Sequence, residues 1–267
     1  MLRITQLSGE ELTSLPLAEL SDVKVLKQRL HQQHGLPPRF RQRLLHEGNP
    51  LDDGVKLDTA MDLQAVILPL SETSELQQKE LCQAASDGNV AQAEALLQLP
   101  MDPNVPDQYG NTPLILGAEA DSVDVAQLLL EAGADKDRGD LHGVTPLMCA
   151  GRDGSAQVTQ LLLEACAQTD VRDEGNSTAL MYASSYGYAS VVRLLLQAGA
   201  HVDARDGDGS TALMDAVSAA NTGHDQVVEL LLEAGATKDV RNVRGQTALM
   251  MATDFEVRRL LEASPTT

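Results

Sequence analysis

Residues 110–134 read GNTPLILGAEADSVDVAQLLLEAGA, and both ends of this stretch recur along the chain. The opening motif carries a threonine that returns 33, 33, 33 and 36 residues further on, at Thr112, Thr145, Thr178, Thr211 and Thr247. The closing motif, a leucine triplet followed by Glu or Gln and Ala, recurs in phase with the threonines. A fixed period of this length with two in-phase motifs predicts a solenoid of stacked helical repeats.

Each repeated position has a physical role. An Asp or Asn begins the turn, where its short side chain can accept hydrogen bonds from nearby backbone N–H groups. The Gly three residues later permits a positive φ, and Asn176 replaces it once. The threonine is expected to cap a first helix, with Pro113 and Pro146 at the first helical position. Asp121 and Cys166 stand where other repeats have the glycine that ends a helix.

These motifs resemble the ankyrin repeat over about residues 75–264. The resemblance implies helix pairs joined by turns, here as a degenerate N-terminal cap, four clear repeats and a C-terminal cap. The fourth repeat has three extra residues within 218–223. The family's His after Pro-Leu is replaced throughout by Ile115, Met148, Met181, Met214 and Met250. We therefore expect the turns to lack the hydrogen bonds of that His and to be less rigid.

The first seventy residues lack the repeat. We predict strands at 1–7, 12–17, 41–46 and 63–68, and a helix around 23–30 that Ser21 or Asp22 caps and Gly35 ends. The stretches GLPP (35–38), QRLL (42–45) and LDDG (51–54) resemble ubiquitin-like domains. That resemblance implies a small β-grasp fold. The predicted fold class is thus α+β with two domains, a ubiquitin-like β-grasp followed by an all-α ankyrin solenoid.

The ubiquitin-like resemblance also implies a partner-binding patch formed by Leu7, Leu45 and Val66. The alternative is that these apolar residues serve only the core. No Gly-Gly pair follows the last strand, so we expect no conjugation through this module. The predicted boundaries are 1–70 for the ubiquitin-like domain, 71–77 for a linker and 78–264 for the ankyrin domain.

The charge of the chain is uneven. Residues 1–70 hold eight Lys and Arg against nine Asp and Glu, while the rest holds 12 against 30, so −1 and −18 make up the net −19. This excess repels nucleic acid and anionic membranes and favours basic protein partners, or serves only solubility. Three Cys without a disulfide pattern, no signal peptide and no membrane span indicate a protein of the cytoplasm or the nucleus, and we expect a monomer.

No catalytic or metal-binding motif stands out. His31 and His34 lack a third ligand, and Asp206-Gly207-Asp208-Gly209 lacks the Gly and Glu of a calcium loop and coincides with a repeat turn. We therefore predict a protein that is not an enzyme and has no cofactor or metal. Tyr182, Tyr186 and Tyr188 cluster in one repeat, and an aromatic with a polar tip is a frequent binding anchor.

The ankyrin resemblance implies a client-binding face made of turn tips and inner helices, and we expect Tyr186 near its centre. The turn-tip candidates are Gln108, Tyr109, Asn111, Leu141, His142, Val144, Glu174, Ser177, Asp208, Ser210, Val243, Arg244 and Gln246. The inner-helix candidates are Glu119, Arg152, Asp153, Ser185, Tyr186 and Ser218. We interpret the chain as an adaptor that binds a client and a ubiquitin-pathway protein. The alternatives are a structural scaffold with the β-grasp as a cap, or a regulatory subunit of a ubiquitin-pathway or other enzyme.

Overall fold

A computed structural model describes residues 1–70, 74–99, 101–219 and 224–263. The N-terminal part contains five strands and one α-helix, which are β1 (Leu2–Gln6), β2 (Glu11–Leu15), α1 (Val23–His34), β3 (Gln42–His46), β4 (Asn49–Pro50) and β5 (Asp62–Ile67). Short 3-10 helices span Leu17–Glu19 and Arg39–Arg41. The predicted strands are confirmed with ends that differ by one or two residues, and the predicted helix is confirmed but runs four residues beyond 30, to His34.

The strands form one sheet in the order β2-β1-β5-β3-β4. β1 and β5 run parallel at its centre, and β2 and β3 pair antiparallel on either side of them. One face of the sheet packs against α1, where Ile4, Leu26, Leu44 and Leu63 are all 0% exposed. The other face, which carries Leu45 and Val66, points away from α1, because successive side chains of a strand alternate between faces.

Both predicted ends of α1 are confirmed. The Asp22 carboxylate accepts a hydrogen bond from the Val25 N–H at 2.9 Å, so it caps the helix. The helix ends at Gly35, whose φ of 65° lies in the left-handed region that glycine adopts without strain.

The remainder of the chain is a stack of helix pairs. The inner helices are α2 (Glu75–Ser86), α4 (Pro113–Glu119), α6 (Pro146–Asp153), α8 (Ala179–Ser185), α10 (Ala212–Ser218) and α12 (Ala248–Met251). The outer helices are α3 (Val90–Leu97), α5 (Val123–Glu131), α7 (Ala156–Glu164), α9 (Ala189–Gln197), α11 (His224–Glu233) and α13 (Phe255–Ala263). Inner helices pack on the next inner helix and outer on the next outer, as a solenoid requires. The extra residues of the fourth repeat fall largely on 220–223, outside the described residues.

The sequence signals within each repeat act as predicted. The threonine before each inner helix from α4 to α12 accepts the N–H of the residue three positions on, as Thr178 does from Met181 at 3.4 Å. The leucine triplets are buried at their centre, where Leu129, Leu162, Leu195 and Leu231 are 0% exposed. The glycine replacements Asp121, Cys166 and Asn176 keep positive φ values of 50°, 61° and 59°. Those three residues therefore accept backbone strain that glycine would avoid.

The turns are better connected than the missing His suggests. The tip of one turn donates a backbone hydrogen bond to the tip of the preceding turn, from Glu174 N to His142 O and from Gly207 N to Gly175 O, both 2.8 Å. Arg172 also donates to the carbonyl of Arg205 at 2.6 Å, and Arg205 donates in turn to the carbonyl of Arg241. Backbone and arginine donors therefore join neighbouring turns where the His is missing, and the lower rigidity of the turns stays a prediction.

A second set of bonds joins the repeats on the side of the outer helices. A carboxylate or amide oxygen of one repeat accepts the backbone N–H of a residue 31 or 34 positions further on. The acceptors are Asn104, Asp137, Asp170 and Asp203, at distances of 2.6 to 2.9 Å. Their spacing of 33 residues is visible in the sequence, although the sequence does not identify the donors that they meet.

Candidate protein-binding surfaces

The turn tips form one row along the stack. Their most exposed apolar side chains are Tyr109 (63%), Leu141 (67%) and Val243 (70%). Exposed polar or charged side chains accompany them at Gln108, His142, Glu174, Asp208 and Arg244. The remaining turn-tip candidates expose less side-chain surface. Half-buried are Asn111, Val144, Ser177 and Gln246, and Ser210 is only 9% exposed. The row therefore presents mixed chemistry at the ends of the turns.

Each turn is shaped by its first residue. The Asp140 carboxylate accepts the N–H groups of His142 at 2.8 Å and Val144 at 2.9 Å, and Asp206 binds Asp208 and Ser210 in the same way. These bonds hold the exposed tip in one conformation. A rigid tip loses little conformational entropy when a partner binds it.

Charged side chains of the predicted set meet at the ends of α4 and α6. Arg152 Nη2 lies 2.8 Å from Glu119 Oε1 and 3.2 Å from Asp153 Oδ2. One arginine thus faces two carboxylates, so this part of the surface keeps a net negative charge. A second pair spans two turn tips, where His142 Nδ1 lies 3.1 Å from Glu174 Oε2 and this hydrogen bond raises the pKa of His142.

Tyr186 is in the middle of the stack but not at the middle of an inner helix. It is the residue that ends α8, it is 55% exposed, and its ring stacks on Tyr188 with centroids 6.3 Å apart. It therefore lies at the end of α8 remote from the turn tips, beside the half-buried Ser185. Tyr182 is half-buried and donates a hydrogen bond to Asp173 at 2.7 Å, so it serves the turn.

The position of Tyr182 carries a different residue in every repeat, with Leu116, Cys149 and Asp215 at the equivalent sites. Burial, and then the charge of Asp206, raise the pKa of Asp215 to about 7. Burial likewise raises the pKa of the Cys149 thiol to about 12, so it stays protonated and unreactive. Asp215 is thus a partly buried carboxyl group close to the carboxylate of Asp206. In the preceding repeat, the equivalent carboxylate, Asp173, instead receives a hydrogen bond from the Tyr182 hydroxyl.

The N-terminal patch lies on the open face of the sheet. Leu7 is 65% exposed, whereas Leu45 and Val66 are half-buried. Leu45 pairs with Gln64 and Val66 with Arg43 across β3 and β5, so both side chains share the outer face. Neither belongs to a buried core cluster. A cleft lined by Leu7, Leu12, Leu36, Val66 and Ile67 adjoins them.

The described residues contain no group of three or more His, Cys, Asp or Glu placed to hold a metal ion. Within the same residues, no helix has the length and apolar character needed to cross a membrane. All three cysteines are free thiols.

Comparison with known families bears on the helical stack. A model described as ankyrin repeats (3 copies) matches residues 64–140, 81–173 and 137–206, and a single ankyrin repeat matches 208–243. The chain belongs to the ankyrin-repeat family. Ankyrin-repeat proteins are generally non-catalytic and bind other proteins, so a role in protein–protein interaction follows.

A solved structure supports the same conclusion for the fold. The crystal structure of EF0377, an ankyrin-repeat protein, is 26% identical and superimposes with a TM-score of 0.66 over 72% of this chain and 100% of that one. No curated protein matches the sequence.

Proposed function

We propose that this ankyrin-repeat protein is a non-catalytic adaptor with two binding surfaces. The turn tips and inner-helix ends bind a basic client, and the N-terminal domain is a ubiquitin-like module that binds a second protein of the ubiquitin pathway. The observation that carries the proposal is that both surfaces are exposed on different parts of the molecule. The outer face of the sheet and the row of turn tips can therefore be occupied together.

Topology supports the ubiquitin-like assignment. A five-stranded sheet with parallel central strands and one helix across a single face is the architecture expected of a β-grasp domain. The strand after the GLPP motif carries Leu45 outward, as the resemblance implies. The module is proposed to act by docking rather than by covalent transfer, since no Gly-Gly pair follows β5.

Charge supports a basic client. The chain outside the first domain carries 30 acidic and 12 basic residues, and Arg152 is already paired with two carboxylates. Attraction of this kind acts mainly on the association rate, so association should slow as salt rises above about 0.1 M. An exposed aromatic acts on dissociation instead, and Tyr186→Ala should weaken binding by about 2 kcal/mol if this ring is an anchor.

The test compares the partners that the full chain captures as parent and as two variants. Tyr186→Ala should lose one set of proteins, and Leu7→Ser a different set. Phe255→Ala and Leu99→Ser are matched controls, because those side chains are 74% and 40% exposed but belong to the outer helix α13 and the segment after the outer helix α3, outside both surfaces. If both variants retain every partner that the controls retain, the adaptor proposal fails and a purely structural scaffold replaces it.

A further inference from the structure

One loop of the N-terminal domain is built into the ankyrin domain. Phe40, between α1 and β3, is 6% exposed and belongs to the buried cluster of the ankyrin stack, not to the core of its own sheet. The linker that joins the two domains along the chain does not require such a contact. An apolar ring buried in the neighbouring domain removes apolar surface from water only while the domains stay together.

Arg39 joins the same two parts by charge. Its side chain is 1% exposed, with Nη1 2.6 Å from Asp53 Oδ2 in its own domain and Nη2 2.8 Å from Glu131 Oε2 at the end of α5. Its guanidinium also lies 3.9 Å from the centre of the Phe40 ring. A cation taken out of water is tolerated only with well-placed anions and hydrogen bonds, and removing one of its partners is strongly destabilising. Docking therefore depends on the carboxylate that the ankyrin domain supplies.

Glu131 is the repeat carboxylate that the N-terminal domain covers. Its side chain is 11% exposed, and it also accepts a hydrogen bond from Gln28 at 2.9 Å and lies 3.5 Å from Lys24 Nζ. The in-phase residues Glu164 and Glu233, which follow the same leucine triplet, are exposed. The repeat sequence thus places a glutamate after several leucine triplets. Among these three described glutamates, only Glu131 has a hydrogen bond or ion pair to residues of α1, and these contacts make it a docking site.

A glycine completes the fit. Gly133 has a φ of +89°, and a Cβ there would lie 2.7 Å from Pro38 Cγ, an atom of a rigid ring. Gly199 and Gly235 have nearly the same φ, +89° and +86°, but nothing within 4 Å of an added Cβ. All three glycines permit the same helix end. Only Gly133 also permits another domain to approach.

The geometry points to Pro38, Arg39 and Phe40 as a lock that fixes the N-terminal domain on the outer helices of the ankyrin stack. The two domains then move as one body. The loop and the adjoining face of α1 are occupied within the chain, while the outer face of the sheet stays open. Two partners bound to this protein would be held at a fixed separation and orientation, whichever proteins they are.

The test measures the distance between two spin labels in the full chain. One label is placed on Cys166, which is exposed, while Cys82 and Cys149 are buried. The other is placed on a Thr59→Cys substitution at an exposed position of the N-terminal domain. The labelled parent should give one narrow distance distribution in pulsed electron paramagnetic resonance. A broad distribution in the parent would overturn the proposal.

Two matched pairs of variants then test the lock itself. Gly133→Ala should lose the narrow distribution and Gly199→Ala should keep it, although both alanines carry the same positive-φ strain. Glu131→Lys should also lose it, because it adds a cation beside Arg39 and Lys24, whereas Glu233→Lys should not. Equal distributions within both pairs would show that these contacts do not hold the domains, and circular dichroism of each variant confirms that it is folded.

Discussion

The contacts within the N-terminal sheet and the contacts within the ankyrin stack join residues at very different separations along the chain. In the sheet, β1 pairs with β5, so that Arg3 lies beside Asp62. In the stack, side-chain bonds between repeats join residues about one repeat apart, such as Asn104 with Asp135 at 31 positions and Arg205 with Arg241 at 36. A repeat contacts only its neighbours, so its loss spreads only to them, whereas a small sheet domain unfolds as a unit. Buried leucines therefore stabilise both parts, but we expect the stack to unfold locally, repeat by repeat, and the sheet to unfold as a whole.

The largest expected effect comes from a charge in the stack. Leu195→Asp places a carboxylate at a site that is 0% exposed, which should cost about 3–5 kcal/mol because no partner compensates it. Hydrogen exchange measured by mass spectrometry should show lost protection in α8–α11 and retained protection in the sheet. Arg193→Asp, at an exposed position of the same helix, is the control. Loss of protection in the sheet as well would contradict separate cooperativity.

The sheet offers the counterpart. Leu44→Asp also introduces a charge at a fully buried position. We expect a loss of about the same size, but all strands and α1 should lose protection together, since Leu44 packs in the single core of that domain. Protection should survive in the distant α9–α13. A graded loss restricted to β3 and its neighbours would show that the sheet behaves like the stack.

A smaller effect depends on pH. The pKa of Asp215 is raised to about 7 in the folded protein, against 3.8 for an ordinary aspartate. Between pH 3.8 and about 7, the folded state therefore keeps this carboxyl group protonated while the unfolded state does not. The contribution of this group to stability is complete below pH 4 and is lost as the pH rises through about 7. Asp215→Asn should therefore stabilise the protein by about 1–2 kcal/mol near pH 8 and change little near pH 4.

Denaturant unfolding of parent and Asp215→Asn at several pH values gives this difference directly. Asp208→Asn, an exposed aspartate in the same repeat, is the control and should show no pH-dependent gain. An Asp215→Asn effect that is the same at both pH values would mean that the carboxyl group is not held protonated.

Helix capping should give a loss of about 1 kcal/mol. Thr178→Ala removes the side-chain oxygen that accepts the Met181 N–H at 3.4 Å, and Thr178 is 1% exposed, so that donor has no water in its place. Thermal unfolding measures the loss. Ser190→Ala, at an exposed helical position, is the control. Exchange of the α8 amides should rise first if the damage is local to one repeat.

The smallest effect tests the bonds between repeats. The Asp203 carboxylate accepts the Thr237 N–H at 2.8 Å and the Thr237 hydroxyl at 2.6 Å. Asp203→Ala should cost about 0.5–1 kcal/mol, since Thr237 is exposed and water can replace part of the bond. Asp239 is the in-phase control, because the described residues contain no following repeat beside it. Equal losses from Asp203→Ala and Asp239→Ala would assign no role to this bond.

Periodicity was the strongest predictor of structure in this chain. Thr178, the leucine triplets and the glycine at each helix end recur in phase, and each acts within a few residues, so the helix pairs and their ends follow from the sequence. The positive φ of Asn176 was predicted in the same way, and Asp121 and Cys166 keep the positive φ of the glycines whose places they take. The acceptor row that includes Asp137 and Asp203 was equally periodic, but a surface aspartate gives no sign of the donor it meets.

The sequence by itself determined the repeat, the helix caps and the outward position of the turn tips, because these depend on local geometry and on a period that fixes which positions share a face. Only the tertiary structure decided that Tyr186 ends an inner helix, that Arg172 and Arg205 donate hydrogen bonds to the repeat that follows, and that Arg39 is buried between domains. These three outcomes depend on residues that are far apart in the chain or on what covers an exposed position. A carboxylate such as Glu131 has the same sequence context as Glu233, and only the packing of another domain makes the two different.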